Sequence, residues 1–171
     1  MGLFTSKNFE SLECLFWDQV RDLYDAEQRI AKALPKMADA ATNSELKSSF
    51  QQHATETAQQ IARLEQIFSR HGKDSKRESC EAMKGIIEEG EEIVQSEAPP
   101  AVKDHALVVA AQRVEHYEMA GYGGARAIAH RIGFDQDAQL LQQTLNEEGE
   151  TDKKLTHIAV DVLENVPTHA A

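Results

Sequence analysis

Glutamates occupy the centres of apolar helix faces at three places in the sequence. Apolar residues recur every three to four positions along most of the chain, which is typical of amphipathic α-helices. In that geometry, neighbours at ±3, ±4 and ±7 share a face. For Glu27 these neighbours include Val20, Leu23, Tyr24, Ile30, Ala31 and Leu34. For Glu118 they include Ala111, Val114, Tyr122 and Ala125. For Glu148 they include Leu141, Thr144, Leu145 and Leu155.

Two further carboxylates lie one turn from these glutamates. Glu115 precedes Glu118, and Asp152 follows Glu148. Residues equidistant from the turn of a helical hairpin lie level with one another. With the turn at Gly133–Phe134, Glu118 is level with position 149, beside Glu148, and Glu115 is level with Asp152.

A histidine and another glutamate lie on the second helix of the first predicted hairpin. His53 lies on its apolar face, and Glu56 lies towards the edge of that face. With the turn at Thr42–Asn43, Glu27 is level with position 58, two residues or about 3 Å from Glu56. The polar residues of the four long helices are therefore expected to form one layer.

Carboxylates in such a layer cannot remain ionised alone, because desolvation and mutual repulsion cost many kcal/mol. The inner faces offer almost no Lys or Arg, and Arg126, about two turns from Glu118, comes nearest. Carboxylates with an imidazole are typical ligands of iron or manganese, and several together suit a pair of ions. An individual glutamate is more often a partly exposed flank residue. The layer as a whole favours a metal site, because unpaired buried charge is so costly.

The elements that must position these residues are four long helices and one short one. The long helices are predicted over about Asn8–Ala41, from a cap signal at Asn43–Glu45 to His71, over Ala101–Arg131 and over Gln136–Leu163, and the short helix over about Ser79–Ser96. Pro35 is expected to kink the first helix, and Asp135 to cap the last. The short helix lies in the long connection between the second and third long helices, which describes an all-α, ferritin-like antiparallel four-helix bundle. We expect one domain over 1–171, with the bundle over about 8–165 and short tails.

Composition excludes several classes of protein. The 171 residues include 18 Lys and Arg against 29 Asp and Glu, a formal charge of −11. Such an acidic surface without a basic run repels phosphate backbones, so we do not expect the protein to bind nucleic acid. The apolar runs are too short to span a bilayer, and the first residues do not resemble a signal peptide. We therefore expect no membrane partner. Cys14 and Cys80 match no zinc or redox spacing, so we expect free thiols in a cytoplasmic protein.

Several segments occur in an order and at intervals that match a known family. They are Asp22–Glu27, His53-x-x-Glu56-Thr57 with Arg63–Ile67 after it, Cys80-x-Ala82-Met83-x-Gly85, Glu115–Gly123, and Thr144–Glu148 leading to Thr151–Leu155. These segments resemble the YciF/YciE family of bacterial ferritin-like stress proteins over about Phe9–Val160. The resemblance implies a five-helix ferritin-like fold, a homodimer, a di-metal centre and an association with stress. It implies no defined reaction.

The chain departs from active di-iron proteins of the ferritin-like class, which typically carry Glu-x-x-His on two helices. The corresponding positions here are Glu56-x-x-Gln59 and Glu148-x-x-Thr151, without the histidine. His53 instead precedes Glu56 by one turn. A site so rich in carboxylate favours hard cations.

The leading hypothesis is a stress-related protein that binds two iron or manganese ions per chain. Peroxide- or oxygen-linked redox activity is the reaction that this hypothesis suggests. The candidate ligands are Glu27, His53, Glu56, Glu115, Glu118, Glu148 and Asp152. Glu56 and Glu148 are assigned as bridging ligands because of their central height. Two alternatives remain open: metal sequestration without turnover, and a metal-free structural or interaction protein whose layer is held by shared protons and water. No protein partner beyond a second copy is indicated.

Overall fold

The computed structural model describes residues 7–75, 78–164 and 166, and within them the chain forms five α-helices. They are α1 (Leu12–Ala40), α2 (Ser44–Arg70), α3 (Glu81–Gln95), α4 (Pro100–Arg131) and α5 (Asp135–Leu163). The predicted all-α bundle, with a short helix in the long connection, is confirmed. The predicted tails fall largely on residues outside the described ranges.

Capping side chains explain where the helices begin. Ser11 Oγ accepts from the backbone N–H of Cys14 at 3.1 Å, so α1 begins later than the apolar pattern predicts. The Asn43 side chain accepts from two backbone N–H groups of α2, both at 2.9 Å, as the cap signal predicts. Asp135 does not cap α5: the N-cap position is Phe134, and Asp135 lies in the first turn, where a negative charge favours the helix dipole.

Buried carboxylates join neighbouring helices at both ends of the bundle. At one end of the bundle, Asp104 of α4 accepts from the backbone N–H groups of Thr42 and Asn43, both at 2.8 Å, and from the Thr42 hydroxyl at 2.5 Å. At the other end, Asp137 of α5 lies 2.6 Å from Nε2 of His71, which follows α2. The start of α4 therefore lies beside the end of α1, and the start of α5 beside the end of α2, so these pairs are antiparallel.

The hydrophobic core consists of two separate clusters, each built from all four long helices. The Phe50 cluster, near the α1–α2 turn, includes Ile30, Leu34, Met37, Leu46, Phe50, Leu107, Leu155 and Ile158, with Met83 from α3. The Phe16 cluster, near the α4–α5 turn, includes Phe16, Trp17, Val20, Leu23, Leu64, Phe68, Tyr122 and Leu141. Helix α3 packs against α1 and α4.

Three smaller sequence features have direct counterparts in the structure. Helix α1 continues through Pro35 to its end at Ala40, and the expected kink stays a prediction. Cys14 is exposed and Cys80 is buried, and both are free thiols, as predicted. Among the described residues, no helix combines the length and the apolar character that crossing a membrane requires.

Candidate metal centre

A layer of polar side chains lies between the Phe16 cluster and the Phe50 cluster. On every long helix its members lie between residues of one cluster and residues of the other. The members, all at most 2 % exposed, are Glu27 from α1, His53, Thr57 and Gln60 from α2, Glu115 and Glu118 from α4, and Thr144 and Glu148 from α5. We call this set the polar layer. The glutamates that the sequence places on apolar helix faces are therefore buried in the structure.

Four members of the polar layer come close enough to share a cation. One potential ligand atom from each of His53, Glu115, Glu118 and Glu148 lies within 4.8 Å of the others. His53 Nε2 lies 3.3 Å from Oε1 of Glu115 and 3.9 Å from Oε2 of Glu148. Metal–ligand bonds of about 2 Å would therefore require only small side-chain movements.

Glu27 completes the carboxylate set from α1. The Tyr122 hydroxyl donates to its Oε1 at 2.5 Å. Its other oxygen, Oε2, has no hydrogen-bond partner among the described residues. Glu27 lies beside Glu118, since each carboxyl influences the pKa of the other.

Burial is the main electrostatic feature of the polar layer. Desolvation raises the pKa of Glu27, Glu115 and Glu118 well above the usual range of a carboxyl. The negative charge of Glu148 raises the pKa of all three further. Desolvation also raises the pKa of Glu148 itself. The layer therefore needs protons or cations to neutralise it.

Several buried polar atoms of the layer have no hydrogen-bond partner among the described residues. Within the described residues, the buried atoms that lack a hydrogen bond include Glu27 Oε2, both ring nitrogens of His53, Glu115 Oε2, both carboxylate oxygens of Glu118 and Glu148 Oε2. Buried polar atoms in native proteins are nearly all hydrogen-bonded, so a group this large calls for an explanation. Carboxylate oxygens with one imidazole nitrogen are donors that iron and manganese accept. The residues present therefore fit a cation site.

Glu56 and Asp152, the other two candidate ligands, lie at the rim of the polar layer. The Glu56 side chain is 25 % exposed, and its Oε2 is 3.8 Å from Nδ1 of His53. His53 lowers the pKa of Glu56, with a smaller effect from the hydrogen bond that Gln52 donates. Asp152 faces outward: its Oδ1 accepts from Gln112 at 3.0 Å and lies 3.2 Å from Nε2 of exposed His116. Neither residue is in the closely spaced group.

Arg63 is the cation that acts on the polar layer. Its charge lowers the pKa of Glu27, while its guanidinium makes two hydrogen bonds, of 2.6 and 2.7 Å, to the carboxylate of Glu147. Arg126, the nearest cation by sequence position, instead donates to Gln142 on α5. Arg63 is thus paired with a carboxylate outside the layer, and within the layer it donates a hydrogen bond to Thr144 at 3.0 Å.

Gln60 is the member of the layer that sequence reasoning missed. Its Nε2 donates to Glu148 Oε1 at 2.5 Å and to Glu147 Oε2 at 3.2 Å. The signal was present in the spacing, because Gln60 follows His53 by seven residues and so shares its face. Gln60 is uncharged, so its burial costs less free energy than that of a carboxylate and gives a weaker signal in the sequence.

Comparison with known proteins identifies relatives over nearly the whole chain. The model of the DUF892 family, described as a domain of unknown function, matches residues 11–166. The protein YciF of Escherichia coli (strain K12) is 41% identical over 155 residues, which cover 90% of this chain and 93% of that protein.

Solved structures give the same result. The crystal structure of the E. coli stress protein YciF superposes with a TM-score of 0.89 at 39% identity, covering 92% of this chain and 100% of that one. YcfI from Rhodopseudomonas palustris superposes with a TM-score of 0.84 at 41% identity, covering 90% and 98%. These matches confirm the ferritin-like fold and the resemblance to YciF. The chain therefore belongs to the DUF892 family and is a homologue of YciF.

Proposed function

We propose that this protein binds two divalent cations, iron or manganese, in the polar layer, and that it serves a stress response. One observation carries the proposal: four carboxylates and one imidazole, from all four long helices, are buried together with unpaired acceptor atoms. The association with stress rests on similarity to the E. coli stress protein YciF.

The ligands divide naturally between two positions. His53, Glu115, Glu118 and Glu148 would hold one ion, because one potential ligand atom of each lies within 4.8 Å of the others. Glu27 would help to hold the second ion, since its carboxyl and that of Glu118 each change the pKa of the other. The bridging role that the sequence suggested for Glu56 is not part of this proposal, because Glu56 lies at the rim.

The remaining residues of the layer orient the ligands. Tyr122 fixes Glu27 by donating to one oxygen, and Gln60 does the same for Glu148. Each hydrogen bond leaves the second oxygen of its carboxylate directed elsewhere in the layer and without a partner among the described residues. A ligand whose supporting hydrogen bond orients it in this way binds a cation at lower entropic cost. Bound iron would supply one-electron redox chemistry towards peroxide or oxygen.

Elemental analysis of protein purified without an affinity tag tests the proposal. We expect about two iron or manganese ions per chain in the wild type after anaerobic loading, and fewer in Glu27→Gln/Glu118→Gln. The matched control is Glu88→Gln/Glu92→Gln, which removes two exposed carboxylates of α3 and should keep both ions. Circular dichroism establishes that each variant is folded. A wild type without stoichiometric metal would overturn the proposal.

A metal-free layer is the competing explanation, because burial raises the pKa of its carboxyls and so favours their protonated form. In that case Glu118→Leu would keep or raise stability, because it removes a buried carboxylate that has no role. In the proposed function the same substitution abolishes the stabilisation that added Mn²⁺ gives the wild type. Urea unfolding with and without Mn²⁺ distinguishes the two.

Catalysis and sequestration are separated by two further measurements. The redox hypothesis requires the iron-loaded protein to consume peroxide faster than the same concentration of free iron. Storage of many ions requires a large shell, whereas gel filtration is expected to give the homodimer that the family resemblance implies.

A further inference from the structure

A groove open to the surface lies between α2 and α5, and one of its lining residues, Glu56, lies 3.8 Å from His53 of the polar layer. It has a volume of about 390 Å³ and is lined only by polar side chains, among them Gln52 and Glu56 from α2 and Glu147, Glu150 and Lys154 from α5. Polar residues are ordinary on the outer face of a bundle, and three of these side chains are carboxylates, which attract cations.

His53 connects the groove to the layer. Its side chain is 3 % exposed, and neither ring nitrogen has a hydrogen-bond partner among the described residues. Nδ1 lies 3.8 Å from Oε2 of Glu56, which lines the groove. Nε2 lies 3.3 Å from Glu115 inside the layer. The imidazole thus faces a groove carboxylate on one side and a layer carboxylate on the other.

Of the three carboxylates named in the groove, two are already neutralised. Glu147 is held by Arg63, and Glu150 by Lys153 at 2.7 Å. Glu56 has no Lys or Arg in ion-pair contact within the described ranges; it receives a hydrogen bond from Gln52 at 2.8 Å.

Lys154 places a positive charge at the mouth of the groove. Its Nζ donates to Oε1 of Gln52 at 3.0 Å, and the amide of Gln52 donates in turn to Glu56. This chain of hydrogen bonds crosses from α5 to α2. Lys154, Gln52 and Glu56 all line the groove, so this chain of hydrogen bonds lies along its wall.

We propose that the α2–α5 groove is the route by which cations reach the polar layer, with Glu56 as the receiving carboxylate and Lys154 as the group that an arriving cation displaces. The inference rests on the proposed function, because it requires cations in the layer. Glu56 then determines how fast a cation arrives and not how many are held. Lys154 opposes arrival through its charge and its link to Gln52.

The test measures rates of uptake in the full-length chain. Metal-free protein is mixed with Mn²⁺ in a stopped-flow instrument, and a fluorescent chelator reports free Mn²⁺. Glu56→Gln is expected to slow association about tenfold, because a charge that concentrates cations in a cleft acts mainly on the on-rate. Lys154→Gln is expected to accelerate it. The number of ions bound at saturation should be that of the wild type in both variants.

Lys32→Gln is the matched control, because it makes the same change in net charge on an exposed side chain of α1 that does not line the groove. Its rate should equal that of the wild type. Unchanged rates in Glu56→Gln and Lys154→Gln, with two ions still bound by the wild type, would overturn the route alone. Loss of an ion in Glu56→Gln would also overturn it, by making Glu56 a ligand. A wild type that binds no Mn²⁺ and no iron would overturn the proposed function and the route together.

Discussion

The Tyr122 hydroxyl on α4 donates to Oε1 of Glu27 on the neighbouring helix α1, at 2.5 Å, and both side chains are completely buried. Tyr122 belongs to the Phe16 cluster, whereas Glu27 belongs to the polar layer. The hydrogen bond therefore joins the hydrophobic core to the candidate metal centre. It also decides which oxygen of Glu27 is left unpaired.

Replacing Tyr122 with Phe should lower the free energy of unfolding of the metal-free protein by about 1–3 kcal/mol, because it leaves a buried acceptor without its donor. Urea unfolding in EDTA measures the loss. Tyr24→Phe is the control: its hydroxyl donates at 2.8 Å to Glu65, which is exposed and can be solvated instead. Equal losses in the two variants would show that burial of Glu27 adds nothing to this bond.

The stability of the metal-free protein should fall with rising pH, more steeply in the wild type than in Glu118→Gln. Burial raises the pKa of Glu118, so the folded state keeps a proton that the unfolded chain has released. The resulting destabilisation is absent below about pH 4.5 and grows as the pH rises through the raised pKa. Because Gln does not titrate, the difference in free energy of unfolding between the two proteins, at pH 5 and at pH 8, isolates this contribution. A difference that does not depend on pH would contradict it.

Substitution of Asp104 should loosen the α1–α2 turn. Asp104→Ala removes the acceptor of two backbone N–H groups and of the Thr42 hydroxyl, and we expect a loss of about 3 kcal/mol. Asp39→Ala, at an exposed position near the same turn, should stay within about 0.5 kcal/mol of the wild type. Urea unfolding of the two variants at one pH compares them, and similar values would rule out the clamp.

Two neighbouring glycines of α4 should respond to alanine with opposite signs. Gly124→Ala should raise stability by about 1 kcal/mol, since a Cβ there meets nothing within 4 Å among the described residues. A Cβ on Gly121 would lie 2.8 Å from Cδ2 of Leu23, a buried side chain of α1. Overpacking of about 1–3 kcal/mol should exceed the gain in helix propensity there. Thermal unfolding gives both signs, and a stabilised Gly121→Ala variant would mean that Leu23 moves aside freely.

The fold was predictable because its signals are local. The three-to-four spacing of residues such as Leu23, Phe50 and Leu155 defines the buried faces, and Asn43 marks a helix start. The predicted start of α1 was less accurate, because the apolar pattern begins before Ser11, whereas the helical backbone begins after it.

The candidate site was predictable only as far as helix faces go. Glu118 and Glu148 stand at the centres of theirs, and burial follows. Glu147 and Glu148 are adjacent in sequence, yet one lies in the groove with Arg63 and the other in the layer. That division depends on a rotation of about 100° between successive residues and on which partner each side chain meets. Partners such as Arg63 come from another helix, so no local pattern reveals them.

The separation of the core into two clusters bears on the cooperativity of unfolding. The Phe16 cluster and the Phe50 cluster each contain side chains from all four long helices, so each half of the bundle has a core of its own. Between them lies a layer whose carboxylates repel one another when ionised. In the metal-free protein at high pH, this repulsion is expected to weaken the coupling between the halves, although the four long helices continue through both, and to broaden the unfolding transition. Cations held by residues from all four helices would join the halves into a single unfolding unit.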